Sequence, residues 1–187
     1  MLVFVAAMFV VAADAPIVAN PHFEEIHQQS GMPSGWSFTS LPSQSHLVTY
    51  GAQTIGAGKP ESTALTIHVA ANHPDKEVAY NVHQVLHGME AGKTYQVSAK
   101  MRAAGLSTAP MIVLQCLNDD GSKYLGFAKS PERRLTADVQ KWETVQTEIT
   151  IPAGTSTVRL RIGIPGKGNA GGTAVIDDVE VTQVHAR

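Results

Sequence analysis

Apolar side chains recur at every second residue along most of this chain. Over 95–102 the odd positions Tyr95, Val97, Ala99 and Met101 are apolar, while Gln96, Ser98, Lys100 and Arg102 between them are polar. Leu65, Ile67 and Val69 keep the same beat, as do Val78, Tyr80, Val82 and Leu86, interrupted only by Gln84. A two-residue period turns one face of an extended strand towards a dry core and the other towards water. The pattern predicts strands near Phe23 and over 36–38, 46–50, 65–69, 78–86, 95–102, 111–117, 125–128, 145–151, 158–164 and 174–181. Compact turns such as Pro152-Ala153-Gly154 and the glycine-rich 166–172 separate them. No segment beyond the first residues carries a 3.6-residue period, and there is no internal repeat or low-complexity tract. Many short strands at this spacing describe an all-β protein, an antiparallel β-sandwich.

One strand breaks the expected chemistry. Asp177 and Asp178 stand side by side in 174–181, where strand propensity disfavours carboxylates. On strict alternation Asp177 shares parity with Val175, Val179 and Val181 and points to the dry side. A buried carboxylate is costly unless it is paired or bound to a cation.

Composition narrows the class. With 187 residues, 43% hydrophobic and 16% charged, the chain reads as a single domain with one good core. A formal charge of −2 lacks the basic excess of a nucleic-acid surface. Residues 2–13 are almost unbroken apolar and end at Ala13-Asp14-Ala15, a small-x-small cleavage pattern. The expectation is a signal peptide over 1–15, with 16–187 a mature domain that is secreted, periplasmic or at the cell surface. The apolar run falls short of the roughly 20 residues a membrane span needs, so the mature form is expected to have no span. A single cysteine, Cys116, cannot form an internal disulfide and falls on the parity of Ile112 and Leu114, as a buried small hydrophobe would.

Catalytic signatures are sparse. His83 and His87 have helical ligand spacing but lie on an alternating strand, where four residues separate them by roughly 13 Å. The glycine-rich 166–172 lacks a Gly-Lys-Ser/Thr ending and joins two strands, as a hairpin loop does. Asp119 and Asp120 lie in Asn118-Asp119-Asp120-Gly121, where turn chemistry accounts for them.

Read in order, Asn20-Pro21-His22-Phe23-Glu24, Met32-Pro33-Ser34-Gly35-Trp36, Gly92-Lys93-Thr94-Tyr95-Gln96-Val97-Ser98, Trp142, Ile151-Pro152-Ala153-Gly154 and Asp177-Asp178-Val179 form a recognisable series. The chain resembles secreted carbohydrate-binding modules, the galactose-binding-like jelly rolls attached to cellulases and xylanases, over about residues 20–183. That resemblance implies a jelly roll whose chain ends meet around a structural calcium, with Glu24 and Asp177 as side-chain ligands and carbonyl oxygens completing the shell. The alternative is an ordinary salt bridge or exposed strand-end carboxylates. Jelly-roll topology, used as analogy, also places strands 78–86, 158–164, 111–117 and 124–128 side by side in one sheet. The outward row is then Asn81, His83, Arg159, Arg161, Gln115 and Tyr124, with Tyr50 and Phe127 at the edges. Such a row supplies hydrogen bonds for sugar hydroxyls, with one ring for stacking. By the same analogy Trp36 and Trp142 pack in the core, and the outward Arg161 contributes little to folding.

Aromatic residues make up 6% of the chain, too few for the flat strip that crystalline cellulose requires. The expected function is therefore non-catalytic binding of a soluble or single-chain polysaccharide or oligosaccharide on one sheet face, with room for an acidic sugar at the two arginines. Two alternatives stand beside it: a structural or protein-contact β-sandwich at the cell surface, and a jelly-roll polysaccharide lyase or hydrolase.

Overall fold

The computed structural model describes residues 17–39, 45–54, 62–74, 80–132, 141–164 and 168–185. Ten strands occur among them: β1 (Ser37–Phe38), β2 (Val48–Gln53), β3 (Ala64–Val69), β4 (Tyr80–Leu86), β5 (Thr94–Ala104), β6 (Met111–Leu117), β7 (Tyr124–Lys129), β8 (Glu143–Thr150), β9 (Thr157–Ile164) and β10 (Thr173–Val184). A single 3₁₀ turn, Ser45–Leu47, leads into β2. The strands form two five-stranded antiparallel sheets, ordered β1-β4-β9-β6-β7 and β2-β3-β10-β5-β8. From β3 to β10 the chain passes back and forth between the sheets, pausing in one only for the β6–β7 hairpin. The result is a β-sandwich of jelly-roll type. The expected signal peptide over 1–15 lies outside the described residues.

Alternation explains the core. Val82, Ile112, Leu114, Leu160 and Ile162 from one sheet meet Leu65, Ile67, Val97 and Ile176 from the other, all fully buried. Cys116 is fully buried among them, where burial pushes its thiol pKa up and suppresses the reactive thiolate. Trp36 is buried against Phe23, with ring centroids 5.2 Å apart.

Three expectations are corrected. Phe23 is not in a strand: it closes a turn at φ 55°, with its N–H donating to Asn20 O at 3.2 Å. Trp142 is not in the core: it is half-buried, with the Arg102 guanidinium 4.9 Å from its ring centroid. Strict parity also fails in β10. The pairing with β5 slips between Asp177 and Glu180, and Asp178 holds the left-handed φ of 48°. This β-bulge inserts one residue, so Ala174 and Ile176 face inward before it and Val179 after it. Asp177 therefore pairs with Lys100 on the outer side rather than facing the core. It is nonetheless 2% exposed. The N-terminal turn crosses this end of the strand, with Val179 N–H donating to Pro21 O at 2.9 Å.

Candidate functional site: the outer face of the β4-β9-β6-β7 sheet

In β9 the side chains of Val158, Leu160 and Ile162 are buried, which leaves Arg159 and Arg161 on the outer face. Antiparallel pairing sets His83 opposite Arg161 and Arg161 opposite Val113. The next row runs Val85, Arg159, Gln115, Phe127, and the row on the other side runs Asn81, Gly163, Met111. Paired residues share a face, so four strands contribute to one surface.

Arg161 organises that surface. Its Nε–H donates to Gln115 Oε1 at 3.0 Å, and its Nη1–H donates to Asn81 Oδ1 at 2.9 Å and Thr39 Oγ1 at 3.3 Å. The Thr39 hydroxyl in turn donates to Asn81 Oδ1 at 3.1 Å. One guanidinium thus ties the chain just past β1 to β4, β9 and β6, and fixes two amide groups in orientation. A cavity of about 280 Å³ opens beside it, lined by Asn81, Gln115 and Arg161 together with Met111, Val113, Gly163 and Ile164. Its walls combine a methionine and a valine with oriented polar groups, the mixture that a sugar ring requires.

The expected residues separate into two groups. Asn81, Gln115 and Arg161 join in one network, while His83 and Arg159 flank it on paired positions. Tyr124 stands further along, opposite Leu117 and 58% exposed. Phe127 lies directly opposite Gln115 and is 57% exposed, so a second ring belongs to the face. Tyr50 stands at the edge of the network: it packs on Phe38 at 4.9 Å, and its hydroxyl donates at 2.7 Å to the carbonyl of Thr39, the residue whose hydroxyl meets Arg161. Sequence reasoning missed Met111 and Val113, although both share the parity of Gln115. It also missed Thr39, which enters through the short pairing of β1 with β4.

The electrostatics are one-sided. Burial lowers the His83 pKa, and the Arg161 and Arg159 charges lower it further. Its Nδ1 is buried with no hydrogen-bond partner among the described residues. Burial also lowers the pKa of Arg161, as does the neighbouring Arg159.

A second cluster lies where the chain ends meet. His22 Nδ1 and the Asp177 and Asp178 carboxylates offer ligand atoms within 4.8 Å of one another. Asp178 Oδ1 lies 2.8 Å from His22 Nδ1, its Oδ2 lies 2.9 Å from Lys100 Nζ, and its N–H donates to Asp177 Oδ1 at 2.7 Å. Glu24 is outside this group, and its Oε1 accepts from Thr63 N–H at 3.2 Å. Thr63 directly precedes β3, which pairs with β10 at Leu65 and Ile176. Glu24 therefore lies against the residue that leads into β3, the strand beside β10. Carboxylates on two converging segments are hard oxygen donors of the kind calcium takes, whereas the His22 nitrogen is not.

A two-sheet jelly roll carrying an amide- and guanidinium-lined cleft on one face has the architecture of a sugar-recognition domain. The chain belongs to the carbohydrate binding domain family, whose model matches residues 15–169. No curated protein sequence matches it. Among solved structures, it is similar to the CBM22-1 xylan-binding domain from Paenibacillus barcinonensis Xyn10C, at 15% identity and TM-score 0.60, covering 89% of this chain and 93% of that one. The Fischerella Stig cyclase Fisc superposes at 13% identity and TM-score 0.65, covering 91% of this chain and 97% of that one. The enzymatically active domain of bacteriophage CBA120 tailspike protein 4 matches at 16% identity and TM-score 0.61, covering 90% of this chain but 21% of its own length. These likenesses define the fold.

Proposed function

We propose that the protein is an exported, non-catalytic module that holds a single glycan chain in the cleft beside Arg161. The observation that carries this reading is the Arg161 network: one guanidinium holds Asn81 and Gln115 at fixed angles beside the Met111 and Val113 side chains. Membership of a carbohydrate-binding family supports it, as does likeness to a domain named as xylan-binding. The non-catalytic part is supported by the kind of polar groups that line the cleft: among the described residues they are amides and a guanidinium, which bind hydroxyls. Phe127, opposite Gln115, supplies a ring on which a pyranose can stack.

The same reading includes a structural calcium at the meeting of the chain ends, with Asp177 and Glu24 as carboxylate ligands. Its role there is to lock the N-terminal turn onto β10, distant from the cleft in function.

The test is retention and titration of the protein on a panel of soluble polysaccharides with product analysis of each. Binding without release of reducing or unsaturated ends, lost in Gln115→Ala, is the expected result. Release of new ends would assign a lyase or hydrolase instead. Self-association with no glycan retained would assign a structural domain.

A further inference from the structure

We propose that the saccharide this cleft takes is acidic, with its anionic group held between Arg159 and Arg161. The inference rests on the cleft reading above and specifies its substrate class. The four strands β4, β9, β6 and β7 contain no Asp or Glu at all. They do contain Arg159, Arg161 and Lys129. The Lys129 charge is answered by Glu132, 2.9 Å away. Neither arginine forms an ion pair among the described residues.

All three partners of Arg161 are neutral oxygens, on Gln115, Asn81 and Thr39, and its Nη2 stays outside these bonds. Arg159 and Arg161 project from the same side of β9, two residues or roughly 6.6 Å apart along the strand. Each therefore raises the cost of the other's charge, and Arg161 carries that cost while partly buried. His83, on the adjoining strand, is held towards its neutral form first by burial and then by the same two arginines. Among the described residues these four strands carry a surplus of positive charge and no carboxylate, in a chain whose net charge is −2.

Sugar hydroxyls alone would not offset two adjacent guanidinium charges. A carboxylate would, because a guanidinium offers paired donors at the spacing of the two carboxylate oxygens. A uronic acid supplies that group on the sugar ring itself, where the neighbouring hydroxyls still reach Asn81 and Gln115. A sulfate ester offers the same charge from a different source.

The deciding experiment titrates the full chain with three glycans, each in native and carboxyl-reduced form: polygalacturonate, alginate and glucuronoxylan. A sulfated galactan and a single-stranded oligonucleotide complete the set. The expected result is at least tenfold tighter binding of one native uronate than of its reduced partner. That preference should shrink in high salt and in Arg159→Gln, a variant that leaves the Arg161 network intact. Preference for the sulfated galactan over every uronate supports the anionic site and assigns its source to the ester. Equal binding of native and reduced forms overturns the proposal and leaves the cleft reading standing. Binding to none of the glycans removes both, and tighter binding of the oligonucleotide replaces the saccharide with a nucleic acid.

Discussion

The two outer faces of this sandwich treat charge in opposite ways. On the β2-β3-β10-β5-β8 sheet both Lys100 and Arg102, and several neutral polar side chains, have partners within the protein. Lys100 reaches Asp178, Gln96 donates to Glu148 at 3.1 Å, Thr94 meets Thr150 at 2.8 Å, and Arg102 lies over Trp142. On the β4-β9-β6-β7 sheet Arg161 ties neutral polar groups together, but among the described residues neither Arg159 nor Arg161 has an ion-pair partner. Both faces have alternating strands and similar polarity in sequence. A count of polar positions does not separate a scaffold surface from a binding one; the presence or absence of partners does.

The strongest way to break the contrast is to remove one cation from each face. Arg161→Ala should weaken glycan binding by about 1.5–3 kcal/mol, the range of a charge-assisted contact, or roughly ten- to a hundredfold. Lys100→Ala should leave it unchanged, as read by calorimetry. Loss of binding in Lys100→Ala with retention in Arg161→Ala would move the site to the other sheet. The structure also revises what Arg161 does for folding. An outward arginine is expected to matter little, but this one joins three strands and the segment after β1, so its removal should cost about 1 kcal/mol in denaturant unfolding.

A second test sharpens the role of the partnered face. If calcium bridges Asp177 and Glu24, chelation should lower the melting temperature, by a stabilisation of about 2.7 kcal/mol where the ion had been at a hundred times its Kd. Asp177→Ala should abolish that sensitivity while glycan affinity stays constant. Identical melting curves with and without chelator, in protein first shown to hold the metal, would mean that protein contacts such as the Lys100–Asp178 pair, and not calcium, hold this corner.

Most of the sandwich could be read from the two-residue period, because one dry face dictates one parity in each strand. The neighbours β4, β9, β6 and β7 came from jelly-roll analogy rather than from periodicity, and their observed order matches it. Within the site, parity was enough to expose Asn81, Gln115 and Arg161 on one surface, but not to show that Arg161 bonds both amides. That depends on register, which alternation does not encode. The bulge in β10 was illegible for a related reason: one left-handed residue inverts every later position, and Asp is among the few residue types that tolerate this conformation without announcing it. Trp142 failed because bulk and apolarity say nothing about which side of a sheet a ring covers when an arginine can stack on it.

The bulge suggests a smaller effect. Asp178→Asn keeps a side chain that accepts φ 48° and removes the charge that faces Lys100 at 2.9 Å. It should cost about 1 kcal/mol, the upper end for surface pairs, because Lys100 is half-exposed while the Asp178 side chain is largely buried. Asp178→Ala adds the left-handed penalty of about 1–2 kcal/mol and should be the less stable variant by that margin. Equal stabilities would mean that the partnered face depends on charge at this position rather than on backbone shape.

The smallest effect distinguishes the faces by proton affinity. His83 has a folded pKa below 6.5, caused first by burial and then by Arg161 and Arg159. The unfolded chain therefore takes up this proton before the folded one does. Stability contributed at His83 is intact above about pH 6.5, falls as the pH drops through that value, and levels off below the folded pKa. In His83→Asn this slope should disappear. Imidazole resonances give the direct measurement: the His83 midpoint should lie below 6.5 in the free protein. It should rise only a little in Arg159→Gln, because burial is the larger cause and remains. It should rise further when an acidic saccharide enters, because an anion beside the arginines cancels the repulsion that disfavours the imidazolium. A neutral glycan brings no such charge, so an equal rise with a carboxyl-reduced ligand would trace the change to dehydration of the cleft. A free-protein midpoint at or above 6.5 would show that the positive charge of this face is answered within the protein after all, and the contrast with the opposite sheet would be lost.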